Sequence, residues 1–120
     1  MQDHSGYIFI ATSNDYSKGD CYIVSATTDL EASLQEYNKN NKREGEQRLG
    51  EQIYYDSFFK VNKMEETIGF ILGSIETRRV KDNIQDISLI CMKLDWLRKH
   101  IENICNFTNY LTLTYTPSHS

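Results

Sequence analysis

The chain has 120 residues, enough for one compact domain and too few for two with independent cores. Hydrophobic residues at 39% and charged residues at 25% are those of a soluble globular protein, and one proline with six glycines argues against a disordered chain. The net charge of −4 weighs against a dedicated nucleic-acid binder, because such affinity comes mainly from neutralising phosphates, although a local basic stripe can act on an acidic protein.

Tyr7 to Thr12 is rich in aromatic and β-branched residues and reads as a strand. The polar run Ser13 to Asp20 reads as a turn or loop, and Cys21 to Thr27 as a second strand, giving an antiparallel hairpin. Thr28 or Asp29 can cap a helix from Leu30 to about Asn38, with Leu30, Leu34 and Tyr37 on one face. Residues Asn38 to Glu46 are polar and charged, and they read as a loop.

Gln52 to Val61 is a third strand, with Tyr and Phe on both faces, as expected of a central or covered strand. Asn62 is placed to cap a helix carrying Ile68, Ile71, Leu72 and Ile75. Val80 to Ser88 gives no clear pattern. Leu89 to Phe107 reads as the longest helix, with Leu94, Leu97, Ile101, Ile104 and Cys105 inward and Lys93, Arg98, Lys99 and Glu102 outward. In the last stretch Tyr110, Thr112 and Thr114 alternate with Leu111, Leu113 and Tyr115, as in a strand. The expected class is α+β: a small three-stranded antiparallel sheet flanked by helices, over residues 1–107, followed by a strand-like tail over 108–120.

Three cysteines, Cys21, Cys91 and Cys105, are widely spaced among apolar neighbours and read as free, buried thiols in a reducing compartment. No paired Cys or His has zinc-ligand spacing. No long apolar run suggests a membrane span, and the first residues lack the order of a signal peptide, so an intracellular protein is expected.

Two strands followed at once by a helix, with Gly6-Tyr7-Ile8-Phe9 in the first and Tyr22 opening the second, resemble the GIY-YIG endonuclease superfamily in its compact phage and large-DNA-virus form. Thr28-Asp29-Leu30-Glu31-Ala32-Ser33-Leu34, the Tyr37-Asn38 ending and Glu65-Glu66-Thr67-Ile68-Gly69 carry the rest of the likeness. The resemblance implies metal-dependent phosphodiester hydrolysis, with one tyrosine helping to activate water, an arginine stabilising the phosphate and a glutamate holding Mg²⁺. Tyr22 and Glu65 are the catalytic positions retained, and Glu65 is the one metal ligand. Phe9 stands where a tyrosine is usual, Ser25 where a glycine is usual and Ser33 where the arginine is usual.

The damaged set implies a nuclease-like domain of viral or phage origin that binds rather than cuts, and so a pseudoenzyme without a cofactor unless the residual site takes Mg²⁺. DNA is the implied partner, held weakly and non-specifically by Lys39, Lys42, Arg43, Arg78, Arg79 and Lys81. The simpler reading of those residues, preferred to a DNA stripe, is a solvated loop and a helix C-terminus carrying dipole-compatible charge. The alternative is a structural or interaction protein, such as a virion component, that uses the fold as a packing module and meets other viral proteins through its C-terminal segment. The location implied is the host cytoplasm or nucleus, or the virion. Cys21 with His100 invites a thiol-nucleophile reading, but His100 among Arg98, Lys99 and Glu102 reads as a surface residue.

Overall fold

The computed structural model describes residues 3–39, 52–83 and 86–115, with side chains to residue 112 in the last stretch. Strands β1 (Gly6–Thr12) and β2 (Cys21–Thr27) form the expected antiparallel hairpin, with Tyr7 opposite Thr27 and Ala11 opposite Ile23. The polar run between them is not a loop but a short helix, α1 (Asn14–Lys18), because the Ser13 hydroxyl accepts the Tyr16 N–H at 3.2 Å. The chain re-enters the sheet through Asp20 at φ 56°, a left-handed turn that aspartate tolerates. Helix α2 (Leu30–Lys39) starts at Asp29, whose carboxylate accepts the Ala32 N–H at 3.0 Å.

Strand β3 (Tyr54–Val61) lies at the sheet edge beside β1, not at its centre. Its mixed aromatic faces misled: Tyr54 and Phe58 are exposed, while Phe59 and Val61 reach the core. Helix α3 (Met64–Ser74) is not capped by Asn62. The N-terminal segment does that work instead: Asp3 accepts the Glu65 and Glu66 N–H groups, both at 2.8 Å, and the His4 carbonyl accepts the Met64 N–H at 2.7 Å.

The stretch without a clear pattern, Val80 to Ser88, holds most of strand β4 (Arg79–Asp82), which follows a turn of 3₁₀ helix (Glu76–Arg78), and the first two residues of strand β5 (Ile87–Cys91). The sheet therefore has five strands rather than three, all antiparallel, in the order β3-β1-β2-β5-β4. Helix α4 (Leu94–Tyr115) then runs without a break past residue 107. Residues 108–115, expected as a strand, are helical because the inward stripe of Leu97, Ile101 and Cys105 continues to buried Thr108. The Thr108 hydroxyl meets that of Thr67 on α3 at 3.1 Å, and this tertiary contact outweighs the strand preference of alternating Thr, Leu and Tyr.

Helices cover both faces of the sheet. On one face Ile8, Ile10, Tyr22, Val24 and Ile90 pack against Ile71 and Ile75 of the α3 segment and Leu97, Ile101 and Cys105 of α4. On the other, Phe9, Ala11, Ile23 and Leu89 pack with Tyr16 of α1 and Leu30, Leu34 and Tyr37 of α2. Period-two alternation in β1 and β2 sends neighbouring side chains into the two cores. No helix among the described residues is long and apolar enough to cross a membrane.

Candidate functional site

The positions that the superfamily resemblance would gather into one cleft lie apart. Phe9 is in the α2-side core with its ring 5.0 Å from that of Tyr55. Ser33 lies on α2, half-buried, on that same side, and Tyr55 donates its hydroxyl to the Leu30 carbonyl at 2.6 Å one turn earlier. Tyr22 is buried on the opposite face. Glu65 opens α3 next to His4, before the start of β1, whereas Tyr22 lies level with the far end of β1. At ~3.3 Å per residue the two are separated by on the order of 20 Å along the sheet.

Tyr22 donates to Asp20 at 3.4 Å. Burial first, then the charge of Asp20 and the hydrogen bond to it, with Asp56 adding to these, raises the phenol above its ordinary pKa. A phenol held protonated in this way is a poor base. The Glu65 carboxylate accepts the His4 backbone N–H at 3.2 Å and stands 3.9 Å from the His4 ring. It complements the helix dipole. Among the described residues no group of three or more His, Cys, Asp or Glu is placed to hold a metal ion.

Gly6, the glycine of the first motif, has a packing reason. A Cβ there would come within 2.6 Å of Met64 Sδ and 2.9 Å of the Thr27 carbonyl oxygen.

The basic residues do not form one stripe among the described residues. Lys39 ends α2, where Asn38 bonds to Ile53 just before edge strand β3. Arg78, Arg79 and Lys81 lie at β4, the opposite edge of the sheet. Arg79 pairs with Glu76 at 2.7 Å and Lys81 with Asp86 at 2.8 Å, which reduces the charge available to phosphates. Lys42 and Arg43 lie outside the described residues.

Two features that the sequence reading missed mark the surface more strongly. The first is a cleft of about 520 Å³ at the end of the sheet, lined by Gly19, Asp20, Arg78, Cys91, Lys93 and Trp96 among others. Lys93 approaches Asp20 at 3.5 Å across it. In edge strand β3 a bulge between the pairs Ile10–Ser57 and Ala11–Tyr55 re-aims Asp56, which Arg98 of α4 holds with two hydrogen bonds.

The second is the outer side of α4. Trp96, Phe107 and Tyr110 are 59%, 57% and 64% exposed. With His100 and Asn103 they follow a 4-3-4-3 spacing, which places all five on one narrow face. Trp96 stacks on His100 at 5.1 Å, and His100 Nε2 lies 2.9 Å from the Ser74 hydroxyl. These contacts occupy the imidazole in packing α4 to α3. Phe70, one turn before Ser74, is also 56% exposed, and Gly69 and Gly73 beside it have open space where a side chain would stand. That heptad-like spacing was available in the sequence; the inward stripe of the same helix drew attention away from it.

Comparison with family models, curated proteins and solved structures finds no match to this chain. What the fold defines is an α+β domain with a five-stranded antiparallel sheet; the superfamily resemblance rests on its motif residues alone.

Proposed function

We propose that this chain is a structural protein that assembles with a second copy of itself through the outer face of α3 and α4, and that it performs no hydrolysis. The single observation that carries this reading is the exposure of Phe70, Trp96, Phe107 and Tyr110 on that face. At roughly 150–250 Å² for each aromatic side chain, their exposed parts amount to about 500 Å². That is a large apolar patch for a monomer, and more than half of the ~800 Å² each partner gives to a standard interface.

A second copy suits the face because the seam is symmetric in kind. Trp96 and Tyr110 lie one heptad before and one heptad after Asn103. An antiparallel two-fold axis at Asn103 brings Trp96 of one protomer against Tyr110 of the partner subunit, and Phe107 against Lys99 of the partner subunit, a cation–π contact. Open space at Gly69 and Gly73 allows close approach of a helix on the α3 side.

Sedimentation velocity across a concentration series tests the reading. Dimers are expected for the unaltered chain and folded monomers for Phe107→Glu, since this ring is mostly exposed. A chain that stays monomeric at every concentration overturns it.

A second reading, the nuclease-like domain that binds DNA without cutting it, is favoured by one observation. Trp96 is exposed beside Arg78 and Lys93, an arrangement suited to stacking an unpaired base with phosphates on the cations. A single-stranded oligonucleotide titrated at several salt concentrations separates the two, because such binding weakens steeply with salt and is lost in Trp96→Ala.

A further inference from the structure

Cys21 and Cys91 stand directly opposite each other on β2 and β5. The Met92 N–H donates to the Asp20 carbonyl at 3.0 Å, immediately outside this pair. In an antiparallel ladder that bond defines Cys21–Cys91 as a non-hydrogen-bonded pair, the kind in which facing side chains approach most closely. Its usual Cα separation of ~4.5 Å falls at the short end of the range that a disulfide spans. The two Sγ atoms are 2.8 Å apart, and both thiols are half-buried. Cys91 also lines the cleft beside Trp96 and Lys93, so a small oxidant has a route to it. Cys105 is buried in the core on the other side of the sheet and is out of reach.

The pair also sits at a weak place. Among the described residues β2 joins β5 through two registered pairs, Cys21–Cys91 and Tyr22–Ile90, while β1 is registered with β2 and β3 along most of its length. A covalent bond at that seam fixes the β4–β5 hairpin to the rest of the sheet and with it one wall of the cleft.

We propose that Cys21 and Cys91 are a reversible redox site, which closes to a cross-strand disulfide and staples the β4–β5 hairpin to β2. The oxidant is a small disulfide such as oxidised glutathione. The Cys91 thiol loses its proton and its sulfur attacks one sulfur of the oxidant, breaking that S–S bond and releasing one thiol. Cys21 then loses its proton and attacks the Cys91 sulfur of the mixed disulfide, forming the protein S–S bond and releasing the second thiol. Two protein thiols are oxidised, and one small disulfide is reduced to two thiols.

Burial first, and then the hydrogen bond and charge of Cys91, with Asp20 adding to them, raise the Cys21 thiol to about 11. The contribution of Cys91 vanishes once that sulfur is in the mixed disulfide, so the first step eases the second.

The test uses the full chain equilibrated with oxidised glutathione, then with excess dithiothreitol. Intact mass and peptide mapping after alkylation read the products. The expected result is a single intramolecular bond joining Cys21 to Cys91, loss of about 2 Da, Cys105 alkylated only after denaturation, and full reversal by the reductant. The oxidised form should melt about 10 °C higher than the reduced form, since the bond closes a long loop. Cys91→Ser should lose both the bond and the redox dependence of the melting temperature. Mixed disulfides that never resolve, bonds only between molecules, or a Cys21–Cys91 bond that leaves the melting temperature unchanged would overturn the proposal, and the mass readout on the unaltered chain decides the first two whether or not the variant folds.

Discussion

Arg98 holds Asp56 in a two-point grip, with Nε at 3.1 Å from one carboxylate oxygen and Nη2 at 2.8 Å from the other. The contact ties α4 to the bulge of an edge strand that has one β-neighbour. Without it β3 would rely on β1 and on the few side chains it sends inward. A fork of this kind is stronger than a single ion pair, because geometry and charge act together. Arg98 is 42% exposed, however, so solvent screens part of the gain.

Arg98→Ala should therefore destabilise the fold by about 1–2 kcal/mol, and Arg98→Lys should recover less than half of that because an ammonium cannot reproduce the fork. Urea denaturation of the two variants beside the unaltered chain measures both. Equal stability of all three would show the pair to be a surface contact without consequence.

Plasmid cleavage should be absent with Mg²⁺ or Mn²⁺. Ser33 and Phe9 lie on the face opposite Tyr22, and Glu65 is bound up with His4 at the other end of the sheet. These four motif positions are therefore not placed to act on one phosphate and one water together. Incubation with supercoiled plasmid checks it; nicking that disappears in Glu65→Ala would restore a hydrolase.

The start of α3 gives a pH dependence. Burial works against the charged form of Asp3, but its hydrogen bonds to Glu65 and to the backbone of Glu65, Glu66 and His4 prevail and hold its carboxyl below the usual value of 3.8. A folded-state pKa below the unfolded one means that the stabilisation is present above the unfolded value. It is lost as pH falls through the folded one. Asp3→Ala should cost about 1 kcal/mol at neutral pH, in line with other lost helix caps. The difference from the unaltered chain should shrink below about pH 4, where the native carboxylate also becomes protonated. Thermal melts from pH 7 to pH 2 read this directly, and a cost that stays constant down to pH 2 would refute it.

How far the sequence reached differs by segment, for reasons that can be named. The β1–β2 hairpin and α2 were legible because their periodicities and the cap at Asp29 are local. β4 and β5 were not, because each is short and takes its identity from pairing with the other and with β2. Ile90 continues the helical spacing of Leu94 and Leu97, so the start of α4 was misplaced into a strand; apolar runs this short do not distinguish the two. The cap of α3 was assigned to Asn62, the nearest suitable residue, when the true cap comes from Asp3 far away in sequence. Burial, expected for all three thiols, holds for Cys105 alone, and the position of Cys21 opposite Cys91 depends on a strand the sequence did not reveal.

The last prediction concerns residues beyond 107, where helix replaced the expected strand. Asn109 sits at the junction of three elements. Its carbonyl oxygen accepts the Asn62 N–H at 3.0 Å, and its amide donates to the Lys60 carbonyl at 3.1 Å. These two bonds satisfy the backbone where β3 ends and the chain turns into α3, a place where no side chain caps the helix locally. One residue earlier, buried Thr108 bonds to Thr67 of α3 and to the Cys105 carbonyl. Asn109→Ala should cost about 1–2 kcal/mol by leaving two backbone groups to solvent, and Thr108→Val about 1 kcal/mol by removing the hydroxyl contact between α3 and α4, while the Thr67 hydroxyl keeps its bond to the Lys63 carbonyl at 2.6 Å. Asn109→Asp keeps the acceptor and loses the donor, so its cost should fall between those of the unaltered chain and Asn109→Ala. Hydrogen exchange at the Asn62 amide is the decisive measurement: protection lost in Asn109→Ala and retained in Asn109→Asp is the expected pattern. Equal protection in both variants would mean that the C-terminal half of α4 does not latch β3 to α3.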